Sequence, residues 1–117
     1  MSSTKTIDFN PLNVDEATLA EITALIVRVY DPVKVYLFGS YARGEATRDS
    51  DIDIMVVLPD DAAEELQSGG PFRANSRGRD WPVEIHTGLK SWFESRQHLP
   101  VFFPATIVRE GRLLYGA

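Results

Sequence analysis

The 117-residue chain has no cysteine, which excludes a disulfide framework and a thiolate metal site. It has no apolar run approaching the ~18–20 residues that span a bilayer. Met1–Pro11 is polar and lacks the apolar centre of a secretion signal. Positive charge is also scarce. Twelve Lys and Arg stand against 17 Asp and Glu, for a formal net charge of −5 and a pI near 4.9. Bulk electrostatics therefore do not make the chain a general nucleic-acid binder. The expectation is a soluble cytoplasmic protein with no membrane association and no direct nucleic-acid contact. There is no internal repeat and no low-complexity tract. What remains is an ordinary globular composition, 44% hydrophobic and 25% charged, enough for one domain with a modest core.

The informative stretch is Val35 to Leu58, VYLFGSYARGEATRDSDIDIMVVL. Val35–Phe38 is β-branched and aromatic and reads as a buried strand, broken by Gly39-Ser40. Tyr41–Arg43 can form one helical turn, with Gly44 as its stop. A second apolar strand follows over Ile54–Leu58, entered through Asp49, Ser50, Asp51, Ile52 and Asp53. Alternation along a strand sends Asp51 and Asp53 to one face, roughly 6.5–7 Å apart, and Ile52, Ile54 and Val56 to the other, toward a core. Paired carboxylates at the mouth of an apolar strand repel unless a cation or protons relieve them. Their oxygens suit hard cations such as Mg²⁺ or Mn²⁺. A Gly-Ser turn at a helix start permits close backbone approach and offers N–H groups, as phosphate sites do. Asp49, Asp51, Asp53 and Asp60 also fall at positions 1, 3, 5 and 12 of a calcium loop, but position 6 needs Gly and holds Ile54. The calcium loop is rejected on that ground.

Gly39-Ser40, ten intervening residues and Asp51-Ile52-Asp53 resemble the GS…DxD signature of the DNA polymerase β-like nucleotidyltransferase superfamily. The wording LFGSYARGEATRDSDIDIMV is most like the minimal nucleotidyltransferases, small single-domain members often paired with HEPN-domain proteins. The motif covers about a fifth of the chain. The resemblance implies an α/β (α+β) nucleotidyltransferase fold, a small mixed β-sheet with helices packed on one face. Residues 1–12 are expected to be a flexible leader and residues 13–117 a single nucleotidyltransferase domain. In the resembled family a third strand supplies a third metal-binding carboxylate. Glu84 is the acidic residue placed for that role, where the family usually has Asp. Asp51, Asp53 and Glu84 would then be catalytic residues holding two Mg²⁺ ions, or Mn²⁺. Gly39, Ser40 and Arg43 would bind the β- and γ-phosphates of a nucleoside triphosphate, ATP by family inference. Arg48 has a weaker claim of the same kind.

A stand-alone catalytic domain needs an acceptor that brings its own surface. The resemblance implies a HEPN ribonuclease toxin as partner, in a hetero-oligomer and adenylylated on a Tyr, with this chain as antitoxin. Two alternatives stay open: a non-catalytic antitoxin that masks the toxin, and a small-molecule nucleotidyltransferase.

The remaining elements are read from pattern. Leu19, Ile22, Ile26 and Val29 give an amphipathic helix over 14–30, capped by Asn13 with Glu16 as a box-like partner and ended by Asp31-Pro32. Pro59–Asp61 opens a short helix over 62–67. Residues 68–80, with Arg73, Arg77 and Arg79, read as a mobile loop, most simply a tolerated insertion. Trp81–Thr87 is a third strand, with Val83 and Ile85 toward the core and Glu84 and His86 opposite; His86 is taken as a surface or packing residue. A helix over Leu89–Gln97 packs Trp92 and Phe93. A second runs from Pro104 to Arg109 and ends at Gly111, before a last strand at Arg112–Tyr115.

Overall fold

The computed structural model describes residues 15–47 and 49–116. The expected leader, Asn13 and Arg48 lie outside the described residues. The apolar spacing of the first helix sets its inner face: α1 (Glu16–Tyr30) buries Leu19, Ile22, Leu25, Ile26 and Tyr30. Its cap is Asp15 and not Asn13, because the Asp15 carboxylate accepts the Thr18 N–H at 2.9 Å and so satisfies an orphan donor of the first turn. Asp31, in the left-handed region at φ 49°, closes the helix before Pro32.

The chain continues through β1 (Lys34–Phe38), α2 (Ser40–Arg43), β2 (Ile52–Leu58), a 3₁₀ turn (Glu64–Leu66), α3 (Gly70–Asn75), β3 (Val83–Leu89), α4 (Lys90–Arg96), α5 (Phe103–Glu110) and β4 (Arg112–Tyr115). The strands form one mixed sheet in the order β3-β2-β1-β4. β1 is antiparallel to β2 and β4, and β2 is parallel to β3. This is the expected α+β class with a small mixed sheet.

The topology explains where sequence pattern misleads. Parallel neighbours need a crossover that carries the chain back along a face of the sheet. Residues 59–82 make that crossing. The short helix expected at 62–67 shrinks to the 3₁₀ turn, and the loop expected at 68–80 contains α3, whose Phe72 is buried in the main core. Tyr30 fixes it there. The buried Tyr30 hydroxyl donates to the Ser68 carbonyl at 2.7 Å and accepts the Phe72 N–H at 3.1 Å. Arg79 leans over Trp81 and pairs with Glu21 at 3.0 Å, on the outside of this layer.

A second crossing, from edge strand β3 to the opposite edge strand β4, brings α4 and α5 over the other face. The expectation of helices on one face thus holds only for the larger cluster. There α1 and α3 cover Val35, Leu37, Ile52, Ile54, Val56 and Leu58. On the reverse face Phe93 of α4 and Ile107 of α5 bury Tyr36, Met55 and Val57. β2, central and covered on both sides, is an apolar run after Asp53 for that reason. Phe93 packs as expected, but Trp92 stays exposed beneath Arg96. α4 has no side-chain cap at its N-cap position. Asp60, from the turn after β2, accepts the Ser91 N–H at 2.8 Å and also the Ser91 hydroxyl.

Removing the Tyr30 hydroxyl would leave the Phe72 N–H without its acceptor in a buried position. Tyr30→Phe is expected to cost about 1–3 kcal/mol in urea unfolding, and to raise amide exchange across residues 68–76 before the rest of the sheet.

Candidate active site

Register assembles the site. Antiparallel pairing sets Phe38 of β1 opposite Asp53, and parallel pairing sets Asp53 opposite Glu84. Paired residues share a face, so Phe38, Asp53 and Glu84 form one row across the sheet. The next row is Tyr36, Met55 and His86. Both rows lie on the α4–α5 face, and this layer leaves the upper row open.

Gly39 follows Phe38 and therefore turns the chain directly over Asp53. Its backbone, at φ 77° and ψ −155°, lies in a region that glycine alone occupies readily. A Cβ added there would stand 2.5 Å from Asp53 Oδ2. Ser40 then opens α2, and Gly44, at φ 74°, closes it as expected. Arg43 points partly outward. Its Nε bonds Glu45 at 2.9 Å and a terminal nitrogen lies 3.9 Å from Glu110. The Glu45 bond holds its pKa above the ordinary guanidinium value, with Glu110 and Asp53 adding to the effect.

The carboxylates are not equivalent. Asp53 is half-buried, and burial pushes its pKa above the usual carboxylate range; the charges of Glu84 and Asp51 push the same way, while His86 opposes them. Glu84 is exposed on β3. One ligand atom each from Asp53, Glu84 and His86 all lie within 4.8 Å of one another. Asp51 is exposed at the mouth of β2, outside this cluster, and reaches Asp53 only through its charge. The structure thus brings Asp53, Glu84 and Gly39 together, sets Asp51 and Arg43 at the rim, and adds His86. The donor set of two carboxylate groups and an imidazole fits a divalent cation. The alternation along β3 already put His86 beside Glu84. Its packing depends on Phe38 and Phe103, whose rings meet the imidazole edge-on at 5.2 and 6.0 Å.

A Gly-Ser turn seated on a carboxylate-bearing strand of a small mixed sheet defines the nucleotidyltransferase-like α+β class. The chain belongs to the nucleotidyltransferase domain family, whose pattern matches residues 19–112. Among solved structures it is similar to a toxin–antitoxin crystallised with AMP-PNP, at 25% identity and TM-score 0.57, over 84% of this chain and 73% of that one. A mutant of the toxin–antitoxin MntA-HpeT aligns at 24% identity and TM-score 0.53, over 89% and 74%. A Sulfolobus solfataricus protein, provisionally assigned as a nucleotidyltransferase, aligns at 20% identity and TM-score 0.55, over 86% and 78%. The last two likenesses are of fold alone. No curated protein sequence matches the chain. Among the described residues no helix is long and apolar enough to cross a membrane.

Two expected outcomes follow from this geometry. Gly39 and Gly44 both have positive φ, but nothing lies within 4 Å of a Cβ at Gly44. Gly44→Ala should show only the backbone penalty of about 1–2 kcal/mol. Gly39→Ala adds displacement of the Asp53 carboxylate, so its loss in urea unfolding should be the larger, with a weakened response to divalent cations.

The second concerns Asp53. A carboxyl with a raised folded pKa holds its proton more tightly in the fold than in the unfolded chain. Stability therefore falls as pH rises through that interval, and the penalty is complete above the raised pKa. Asp53→Asn should raise the Tm of the metal-free protein at pH 7, with the gain fading below the ordinary carboxylate range. Mg²⁺ or Mn²⁺ should raise the parent's Tm and leave the variant's unchanged, as thermal melts would record.

Proposed function

We propose that the chain is an antitoxin that transfers AMP from ATP to a hydroxyl of its toxin partner, a Tyr of a HEPN-type ribonuclease, in the cytoplasm where ATP is supplied. The observation that carries the reading is the Phe38–Asp53–Glu84 row with the Gly39 backbone folded over it. Family membership and the likeness to a toxin–antitoxin crystallised with AMP-PNP support it.

The reading gives each residue a role that its position supports. Gly39 and Ser40 offer backbone N–H groups and a hydroxyl to the β- and γ-phosphates. Arg43 exchanges its Glu45 contact for the triphosphate. Asp51, Asp53 and Glu84 would hold Mg²⁺ or Mn²⁺, two ions by the superfamily's pattern. When bound, such ions supply positive charge that offsets charge on the phosphates and the leaving group. Glu84, exposed at the open side of the row, takes the proton of the attacking hydroxyl. The hydroxyl oxygen bonds to the α-phosphorus, the α–β bridging bond breaks, and pyrophosphate leaves with that electron pair.

A protein acceptor fits the surroundings better than a free small molecule. Leu99, Val101, Phe102 and Phe103 are exposed together, Val101 at 89% of its full area, and the Phe103 ring borders the site through His86 and Phe38. An exposed apolar group beside an open site is what a docked protein covers.

The test is a ribonuclease assay on the toxin encoded next to this chain, across molar ratios. With ATP and Mg²⁺, substoichiometric parent should silence the toxin and leave it modified, and the Asp51→Asn, Asp53→Asn double variant should not. One-to-one titration, indifferent to ATP and to both substitutions, would remove the enzyme reading and leave masking by binding.

A further inference from the structure

We infer that His86 is itself a ligand of the divalent cation in this site, and that the site accordingly selects Mn²⁺ over Mg²⁺. The inference rests on the cation reading of Asp53 and Glu84 given above, and extends it to a nitrogen donor.

Three observations carry it. First, His86 Nε2 is buried and has no hydrogen-bond partner. Buried polar atoms are normally satisfied, so an orphan beside the Asp53 carboxylate needs a reason. Second, Nε2 lies 3.7 Å from Asp53 Oδ1. That is too long for a hydrogen bond. It is the separation of two ligand atoms that share one ion, since donors about 2.0–2.2 Å from a first-row cation stand roughly 3–4 Å apart. Third, the ring cannot easily turn away. Phe38 and Phe103 pack edge-on against it from β1 and α5, and Met55 occupies the same row.

The donor set decides the ion. Mg²⁺ is a hard cation that favours oxygen donors and retains several waters. An imidazole nitrogen adds little to it. Mn²⁺ accepts the same carboxylates and opens the first-row series, along which affinity for nitrogen donors rises and which as a group takes imidazole better than Mg²⁺ does. Replacing one oxygen donor by Nε2 therefore shifts preference toward the transition ion without removing Mg²⁺ binding. The arrangement also fits the exposed position of Asp51. With Nε2 supplying a third donor beside Asp53 and Glu84, one ion is held without Asp51 moving inward.

The competing explanation is a simple ion pair, in which protonated His86 neutralises Asp53. The two differ in what a bound ion senses. The experiment titrates Mn²⁺ alone, then Mg²⁺ alone, into the whole protein without nucleotide, whose base would add nitrogen of its own. Bound Mn²⁺ is read by pulsed electron paramagnetic resonance. The parent should show a nitrogen hyperfine coupling, a result that requires no variant to fold. His86→Gln should lose the coupling and weaken Mn²⁺ roughly tenfold or more, the loss typical even of residues that only support a ligand. Its Mg²⁺ affinity should change far less. A parent spectrum without nitrogen coupling, or equal Mn²⁺ affinity in folded His86→Gln, would overturn the inference. Asp53→Asn separates the two levels. If it loses Mn²⁺ while His86→Gln does not, the cation site stands and only the part given to His86 falls. If both variants keep full affinity, the site itself is lost.

Discussion

Asp53 stands on the central strand with its carboxylate against the Cα of Gly39, where no side chain fits. That contact joins two requirements. The turn after β1 must be glycine to pass so close, and the carboxylate must tolerate a neighbour that takes up space otherwise open to water. Burial raises the cost of its charge, and Glu84 and Asp51 raise it further. The fold therefore holds a destabilised anion where the Gly39 backbone turn meets it. A cation held there would relieve that cost. The rest of the molecule serves to keep those two strands in register.

Register in turn depends on the two unequal cores. On the α1–α3 face, large aliphatic side chains from β1 and β2 leave no latitude for a slip, because moving one residue would send Ile52, Ile54 and Val56 to the wrong side. The reverse face is covered only over its lower half, by Phe93 and Ile107. The same face thus carries a small core at one end and the carboxylates at the other. The Phe38, His86 and Phe103 rings mark the border between them. An apolar floor under a charged row lowers the local dielectric and strengthens every interaction made there.

Local pattern carries much of this. The alternation of Asp51, Ile52, Asp53 and Ile54 reveals which side of the strand is chemical and which is packed. The Gly39-Ser40 break and the spacing to Asp51 mark the class. The apolar stripe of α1 fixes its inner face, and only its cap is misplaced, since Asn13 and Asp15 are both good capping residues two positions apart. What the pattern hides is non-local. α3 has six residues, and Phe72 is its only buried side chain, so nothing periodic announces it. Its place comes from the parallel pairing of β2 and β3 and from a tyrosine hydroxyl some forty positions earlier in the chain. The second helical layer is hidden for a similar reason. α4 and α5 are short and half exposed, and which face they cover is decided by the order of strands. His86 belongs to the same group: its neighbour Glu84 is legible from alternation, but the desolvation of Nε2 is made by rings from two other elements.

The cap that Asp60 provides to α4 has a consequence for assembly. A seven-residue helix is too short to persist alone in water, and this one brings no side-chain cap of its own. Its first turn is completed by a residue 31 positions earlier, at the exit of the central strand. α4 can therefore settle only after β2 and β3 have paired, and α5 leans on α4. The layer that carries the exposed Val101–Phe103 corner therefore depends on strands already in register. The apolar corner beside the site is thus presented by a chain whose carboxylate row is already aligned.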